Sequence, residues 1–384
     1  MPLTMLSHAE IERYQRHLSL AGFGPERQER LKEATVLMIG AGGLGCPALL
    51  YLAAAGVGRI VVVDSDVVEV SNLQRQVLFT VEDVGKAKAE AAVERLSALN
   101  PLIDFEARVE RFTRANALEL VKACDLVVDG SDNFATRYLV NDACVLAGKP
   151  FVYGAVQAFE GQVSVFNWNG GPTYRCLFPE PPAPGTVPNC AEGGVLGVMP
   201  GLIGTAQAAE AVKVLAGIGE PLSGRLLLWD ALSMTSQVVN LPADARSREI
   251  TELPPDGYGE VCEMDSPHTP HFEEEIPAEV DADWLKEKLE AAEAAGKPLQ
   301  LVDCREEWER EMGAIMPSVH IPLGQFQTGE AKAALGQLDS AQPLVIYCAG
   351  GVRSLRAADL AKKNFGFKLP TSLRGGFSRW SKQY

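Results

Sequence analysis

The sequence predicts an α/β protein in two parts, a doubly wound, Rossmann-like domain over residues 1–245 and a smaller α/β domain over residues 281–384. Three observations carry this. Short β-branched runs at 36–39, 60–63 and 126–128 each end in a glycine-rich stretch or at an aspartate, as parallel strands buried on both faces do. Helix-like stretches separate them, such as 86–99, which stops at Asn100-Pro101. A proline-rich acidic stretch over 246–280 lacks any period and reads as a linker, after which the α/β pattern restarts.

In the second part, 283–295 reads as a helix and 299–303 and 343–347 as strands. About 100 residues suffice for a small independent domain. The whole chain has 384 residues, 47% of them hydrophobic, enough for sizeable cores and too many for a disordered protein. With 35 basic and 50 acidic residues the net charge is −15, which excludes broad binding to nucleic acid or anionic membranes but leaves room for a local basic pocket. Residues 1–10 lack the basic and apolar regions of a signal peptide. The most apolar stretch, 48–63, is interrupted by Gly56, Gly58 and Arg59 and is too short to span a bilayer, so a soluble cytoplasmic protein is expected.

Gly40-Ala41-Gly42-Gly43-Leu44-Gly45 follows the first strand and opens a helix. Glycines there permit a tight turn and close backbone approach to phosphate, and the helix N-terminus supplies free N–H donors. Asp64 ends the next strand, near the spacing of a ribose-binding acid. Taken alone this fits a dinucleotide-dependent oxidoreductase as well as an ATP site; no Walker-type lysine-serine follows. The next residues favour ATP: Asp64-Ser65-Asp66, Ser71-Asn72-Leu73-Gln74-Arg75, Lys88, then Ser131-Asp132-Asn133. Hydride transfer has no need of this set. Attack of a carboxylate on the α-phosphate does, because charge builds on the transferring group and on departing pyrophosphate, where Arg and Lys stabilise it and an Asp can hold Mg²⁺. Singly, Arg75 and Lys88 read more readily as solvated surface cations and Asp132 as a turn residue; the ordered set does not.

On these motifs the first 245 residues resemble the molybdopterin-synthase adenylyltransferases, the thiamine-pathway carrier adenylyltransferases and the catalytic half of ubiquitin-activating enzymes. The resemblance implies ATP contacts at Gly43, Asp64, Ser71, Asn72, Leu73, Gln74, Arg75, Lys88 and Asn133, and Asp132 as the Mg²⁺ ligand. It implies that Arg16, in Arg13-Tyr14-Gln15-Arg16, reaches the γ-phosphate of a neighbouring subunit, hence a homodimer. It implies as partner a small ubiquitin-like sulfur-carrier protein ending in Gly-Gly.

Eight cysteines stand at 46, 124, 144, 176, 190, 262, 304 and 348 with no CxxC pair, and most read as small buried hydrophobes. Cys190, in Asn189-Cys190-Ala191-Glu192-Gly193, resembles the cysteine of the family's crossover loop, which takes the activated acyl group. Cys348-Ala349-Gly350-Gly351-Val352-Arg353 lies between the strand at 343–347 and a helix at 355–363. Inward backbone N–H groups and the helix dipole favour a thiolate or persulfide there, with Arg353 adding positive charge at the rim. With 301–306, His320-Ile321-Pro322-Leu323 and Gly375-Gly376-Phe377, this part resembles rhodanese sulfurtransferases. The fusion implies conversion of the carrier's terminal glycine to a thiocarboxylate, with thiosulfate or a cysteine desulfurase as persulfide donor. Cys304 reads as packing.

Most relatives in this resemblance hold structural zinc on two CxxC pairs. Here Thr173 precedes Cys176 where the first pair would stand, and 243–248 has no cysteine, so zinc is expected to be absent. Three rival readings are a Rossmann oxidoreductase, a non-catalytic carrier-binding scaffold, and a relative that dehydrates a tRNA base.

Overall fold

The β-branched runs form the parallel strands expected of them: β1 (Thr35–Ile39), β2 (Arg59–Val63) and β4 (Leu126–Asp129), joined by β3 (Asp104–Arg108) and β5 (Phe151–Gln157). The computed structural model describes residues 6–181, 194–254, 258, 279–295, 299–340 and 342–384. It divides into two units, Met1–Val261 and Cys262–Tyr384.

In the first unit an eight-stranded sheet runs β3-β2-β1-β4-β5-β6-β7-β8. Its first five strands are parallel. Beyond β5 it turns antiparallel, through β6 (Glu160–Phe166), β7 (Arg225–Asp230) and β8 (Thr235–Asn240), an extension the doubly wound reading did not contain. Two cores flank the sheet. One packs α3 (Gly45–Ala55), α4 (Lys88–Leu99) and α8 (Val198–Ala216) against it; the other packs α5 (Arg114–Lys122) and α6 (Phe134–Ala147). Helix α8 lies directly on strand backbone: a β-carbon at Gly161 would meet Ile203 at 2.3 Å, and one at Gly154 would meet Gln207 at 2.4 Å. Among the described residues no helix is long and apolar enough to cross a membrane.

The expected linker gives up its first residues to this unit. Asp244 caps a 3₁₀ turn, Ala245–Arg248. Arg248 bonds Asn167 and the Gly171 carbonyl. Arg114 donates to the Leu253 carbonyl at 3.2 Å, and Leu253 is buried. Arginines satisfy the backbone here, so a stretch without periodicity still packs. Most of the remaining linker lies outside the described residues.

The second unit is a parallel sheet ordered β11-β10-β12-β13-β9: Val319–His320, Gln300–Asp303, Leu344–Tyr347, Pro370–Leu373 and Glu279–Val280. Around it lie α9 (Ala282–Ala295), α10 (Glu307–Glu311), α11 (Leu323–Thr328), α12 (Lys332–Leu335), α13 (Val352–Phe365) and α14 (Gly376–Gln383). Helix α13 begins three residues earlier than the sequence suggests, which brings Arg353 and Ser354 into its first turn.

The tightest backbone approach in the first unit joins α2 (Gly24–Glu33) to the start of β2. Gly58 N–H donates to Leu31 O at 2.8 Å, and a β-carbon on Gly58 would sit 1.6 Å from the Lys32 carbonyl oxygen. Gly58→Ala should destabilise the first unit by at least about 2 kcal/mol, read as a lower urea midpoint. Gly201→Ala, in the first turn of α8 with nothing within 4 Å of the new carbon, should hold or raise it. Equal midpoints for the two variants would contradict this packing.

Candidate active sites

The first site forms where the strand order reverses, between β1 and β4, at their carboxyl ends. β1 runs into Gly40–Gly45, and α3 starts at Gly45. Gly40 has φ +87, and a β-carbon on Gly45 would lie 2.0 Å from its carbonyl oxygen, so this turn is open only to glycine. Asp64, at the end of β2, braces it: Oδ2 accepts the Ala41 N–H at 2.8 Å and Oδ1 the Asp66 N–H at 2.8 Å. Burial pushes the Asp64 carboxyl up, opposed by these bonds and by Lys88.

The 3₁₀ turn Val70–Asn72 and the residues after it form the facing wall. Asn72 is buried and its Oδ1 accepts the Glu69 N–H at 3.1 Å. Ser71 Oγ donates to Glu69 at 3.3 Å, and Arg75 Nη1 donates to the Ser71 carbonyl at 3.2 Å. Leu73 packs against the core. Gln74 lies against Gly197, just before α8, where a β-carbon would come 2.4 Å from its carbonyl oxygen. A β-carbon on Gly43 would meet Pro200 at 3.0 Å and Arg75 Cδ at 3.5 Å, which places the arginine stem at the glycine turn. Lys88 opens α4, is buried, and donates to Asp66 Oδ2 at 2.8 Å. Asn133 caps α6, accepting the Thr136 N–H at 2.9 Å. Asp132 beside it is exposed and makes no hydrogen bond among the described residues.

Polar atoms near the turn are left unsatisfied. Gln76 Oε1, Ser131 Oγ and Asp129 Oδ2 are buried without a hydrogen-bond partner among the described residues. Such atoms are costly unless something polar completes them. With a glycine turn, one lysine, one arginine and an exposed carboxylate at its margin, the crevice suits a phosphorylated ligand accompanied by a hard, oxygen-seeking cation.

Arg16 lies elsewhere. Its helix, α1 (His8–Leu18), packs by Tyr14 against Gly56 and Asn100 at the far end of α3. The 11 residues of α3 separate that end from Gly45, on the order of 16 Å. Arg16 is exposed and is not brought to this chain's own crevice. Cys190 lies outside the described residues.

Where the resemblance places the CxxC pairs of zinc-holding relatives, Cys176 Sγ accepts the Asp244 N–H at 3.3 Å and the Thr173 N–H at 3.4 Å, and Ser247 Oγ lies 3.2 Å away. Thr173 and Cys176, and Asp244 and Ser247, repeat the two-residue spacing of a pair of CxxC motifs. Burial pushes the Cys176 thiol up, but these bonds outweigh it and hold it below its ordinary range.

In the second unit β12 delivers Cys348 to a loop closed by α13, whose cap Gly351 has φ +105. The sulfur accepts the Gly351 N–H at 3.1 Å and faces Ser354 Oγ at 3.5 Å. The Cys304 thiol beside it is the largest influence holding Cys348 down to about 5; burial opposes this, and Ser354 and Gly351 add to it. By contrast burial pushes Cys46 and Cys124 up to about 12. Arg353 does not stand free at the rim: its two terminal nitrogens donate to Glu309, at 2.7 and 2.6 Å. Cys304 and Glu309 are the participants sequence reasoning missed. Cys304 carried a signal, standing one residue past a strand that pairs with the Cys348 strand; Glu309 carried none.

Residues 14–249 match the model of the ThiF family, and residues 281–383 that of the rhodanese-like domain. The chain is 46% identical over 390 residues to a probable adenylyltransferase/sulfurtransferase MoeZ of Mycobacterium tuberculosis, spanning 100% of this chain and 95% of that protein. It is 58% identical over 242 residues to the sulfur carrier protein adenylyltransferase of Thermus thermophilus, covering 62% of this chain and 89% of that protein. Among solved structures, E. coli MccB with MccA-N7isoASN aligns with a TM-score of 0.55 at 24% identity, over 62% of this chain and 74% of that one, a likeness of fold alone. The chain thus belongs to the ThiF family and carries a rhodanese-like domain after its adenylation fold.

Proposed function

We propose that the chain adenylates the C-terminal carboxylate of a small ubiquitin-like sulfur-carrier protein ending in Gly-Gly, then replaces an oxygen of that carboxylate with sulfur. One observation carries this: a single chain holds both a glycine crevice bordered by Lys88, Arg75 and Asp132 and a loop that keeps Cys348 as a thiolate. The names of the Mycobacterium and Thermus relatives support it. The carrier of a molybdopterin synthase is the first choice of partner; a thiamine, cysteine or tRNA-thiolation carrier would undergo the same chemistry.

Residues 1–245 perform the first half. The carrier carboxylate attacks the α-phosphorus of ATP, the bond to the β-phosphate breaks, and carrier acyl-AMP and pyrophosphate result. Lys88 and Arg75 offset the charge that grows on the phosphates. Asp132 would hold the Mg²⁺ that accompanies ATP; when bound, the ion neutralises phosphate oxygens. Arg16 would serve the crevice of a partner subunit in a homodimer, which its distance from its own crevice favours.

Residues 281–384 perform the second half. The Cys348 thiolate attacks the outer sulfur of thiosulfate, releasing sulfite and leaving a persulfide anion; a cysteine desulfurase persulfide would deliver the same atom. The terminal sulfur attacks the acyl carbon and expels AMP, leaving an acyl disulfide on Cys348. The Cys190 thiolate then attacks the Cys348 sulfur, the carrier thiocarboxylate departs, and a dithiol reductant reopens the Cys190–Cys348 disulfide.

Asp132→Ala should lower carrier-dependent ATP–pyrophosphate exchange by roughly 10²–10³; exchange within about threefold of wild type at saturating Mg²⁺ would remove Asp132 from this role. Cys348→Ser should leave exchange intact and abolish thiosulfate-dependent thiocarboxylate formation, read by mass spectrometry as a missing oxygen-to-sulfur change. With Cys348 held down to about 5, persulfide formation from thiosulfate should persist as pH falls from about 8 to about 6 and decline only near 5. A decline already complete between pH 9 and 7 would show an unshifted thiol. The hydrogen-bonded Thr173–Cys176–Asp244–Ser247 cluster leads us to expect well under one zinc per chain by elemental analysis. About one tightly held zinc would overturn that reading.

A further inference from the structure

Two thiols meet at the ends of neighbouring strands in the second unit, and the sulfur-transfer scheme uses one of them. β10 and β12 pair in parallel register from Gln300↔Leu344 to Asp303↔Tyr347, and the Cys304 N–H continues the ladder to the Tyr347 carbonyl at 2.9 Å. One step further sets Cys304 beside Cys348, at about the 5 Å spacing of adjacent strands. The strand period of two fixes which way they face. Val302, Cys304, Ile346 and Cys348 share one core; Leu301, Val345 and Tyr347 share the other, where the Tyr347 hydroxyl donates to Asp303 at 2.9 Å. Both sulfurs therefore lie on one face of the sheet, 0% and 1% exposed.

Their surroundings differ. Cys348 receives donors from the loop, Gly351 N–H and Ser354 Oγ. Cys304 is fully buried in an apolar core that also contains Ile321 and Phe326. The neighbouring Cys348 sulfur first, then burial, pushes the Cys304 thiol well above its ordinary range, so it keeps its proton. The charged groups around the pair are committed elsewhere. Arg353 on α13 is held by Glu309 of α10, and Asp303 is engaged on the opposite face by Arg305 and Tyr347. A buried sulfur anion thus gains more from a close neutral donor than from distant charge.

We propose that Cys304 is a positioning residue for sulfur transfer: its S–H donates to the Cys348 sulfur from the core side and stabilises the anion on which the persulfide is built. The proposal rests on the reading of Cys348 as the sulfur carrier. It also accounts for the apolar enclosure of Cys304. An ionised Cys304 would attack a Cys348 persulfide, forming a Cys304–Cys348 disulfide and expelling the outer sulfur as sulfide. Keeping Cys304 protonated suppresses that discharge while retaining the donor.

The test compares Cys304→Ala with Cys304→Ser in the full chain, following the pH dependence of Cys348 alkylation by iodoacetamide through peptide mass spectrometry. Removing the donor should raise the inflection by about one to two pH units, and serine should restore it to within about half a unit. Thiosulfate-dependent persulfide formation in Cys304→Ala should fall about two- to tenfold near pH 6 and recover in alkaline solution, a pattern that general loss of packing does not produce. Cys304→Val, which fills the space without a donor, should titrate like Cys304→Ala. A wild-type inflection in either apolar variant, or a serine variant that titrates like alanine, overturns the proposal. Alkylation needs no sulfur donor or carrier, so its outcome is separate from that of Cys348→Ser: sulfuration surviving in Cys348→Ser would defeat the scheme and leave the titration result standing.

Discussion

The carbonyl of Gly40 is wedged between two other glycines. A β-carbon on Gly45 would fall 2.0 Å from its oxygen and one on Gly130 would fall 3.0 Å from it. That contact joins the end of β1, the start of α3 and the end of β4 at a single point. Gly130 N–H continues the ladder to Ile39 O at 2.8 Å, and Gly40 N–H reaches Val63 O at 2.9 Å. Any side chain there would push α3 off the strand ends, close the crevice and misdirect the Ser131–Asn133 stretch. Asp64, bonded to the Ala41 N–H, locks the same turn from the other side. The ligand-facing surface is in this sense a by-product of backbone packing, and the motif is legible because no other residue type tolerates the approach.

In each unit a strand beside the candidate site ends in a buried aspartate, Asp129 on β4 and Asp303 on β10, and the two behave oppositely. Asp129 is wholly buried; its Oδ1 accepts the Ser131 N–H at 3.0 Å, and burial drives its carboxyl up against the pull of Arg137. Arg137 does not pair squarely with it, donating instead to the Ser131 carbonyl at 3.2 Å. Asp303 is also buried, yet two nitrogens of Arg305, at 2.9 and 2.8 Å, and the Tyr347 hydroxyl outweigh its desolvation and hold it below the usual carboxylate range. Arg305 in turn is stacked on Phe377 and tied to the Gly313 carbonyl at 2.7 Å. This aspartate is the pin of the second unit, fixing the strand end from which Cys304 departs. Asp129 is held more loosely, with one oxygen unpartnered among the described residues, at the edge of a crevice meant to receive a polar ligand.

What the sequence disclosed follows the same physics. The parallel strands were legible because burial on both faces demands continuous β-branched runs, and the glycine turn because its backbone excludes side chains. The antiparallel half was not: β8 is exposed along its whole length and Thr235–Asn240 shows no apolar period, while the β5–β6 turn places Ala158, not glycine, at φ +50. The crevice residues were found as types but not in their local duties, since the buried Asn72 and capping Asn133 show their bonds only in three dimensions. Glu309 stands 44 residues before Arg353, a separation at which no local pattern operates. Cys304 was read as packing because a buried cysteine usually is; the strand register gives it a second meaning.

The two sites stabilise negative charge by different means, and the difference matches how long the charge resides. In the proposed chemistry the anion of the first unit arrives with a ligand and leaves with a product. The counter-charges proposed for it rest on other partners: Lys88 on Asp66, whose side chain is 66% exposed, and Arg75 on the Ser71 carbonyl. A polyphosphate carries several negative charges and so attracts these cations more strongly than one carboxylate or one carbonyl does. In the second unit the anion is covalent and permanent, so it can be buried and served by fixed neutral donors, each worth roughly 1.5–3 kcal/mol to a charge. Arg353, already neutralised by Glu309, can then hold the loop in shape without competing for the sulfur. A freely exposed cation beside Cys348 would lower the sulfur's basicity further and with it the nucleophilicity of the persulfide. Hydrogen-bond donors that keep the sulfur ionised, with the nearest guanidinium engaged elsewhere, leave it both charged and able to attack.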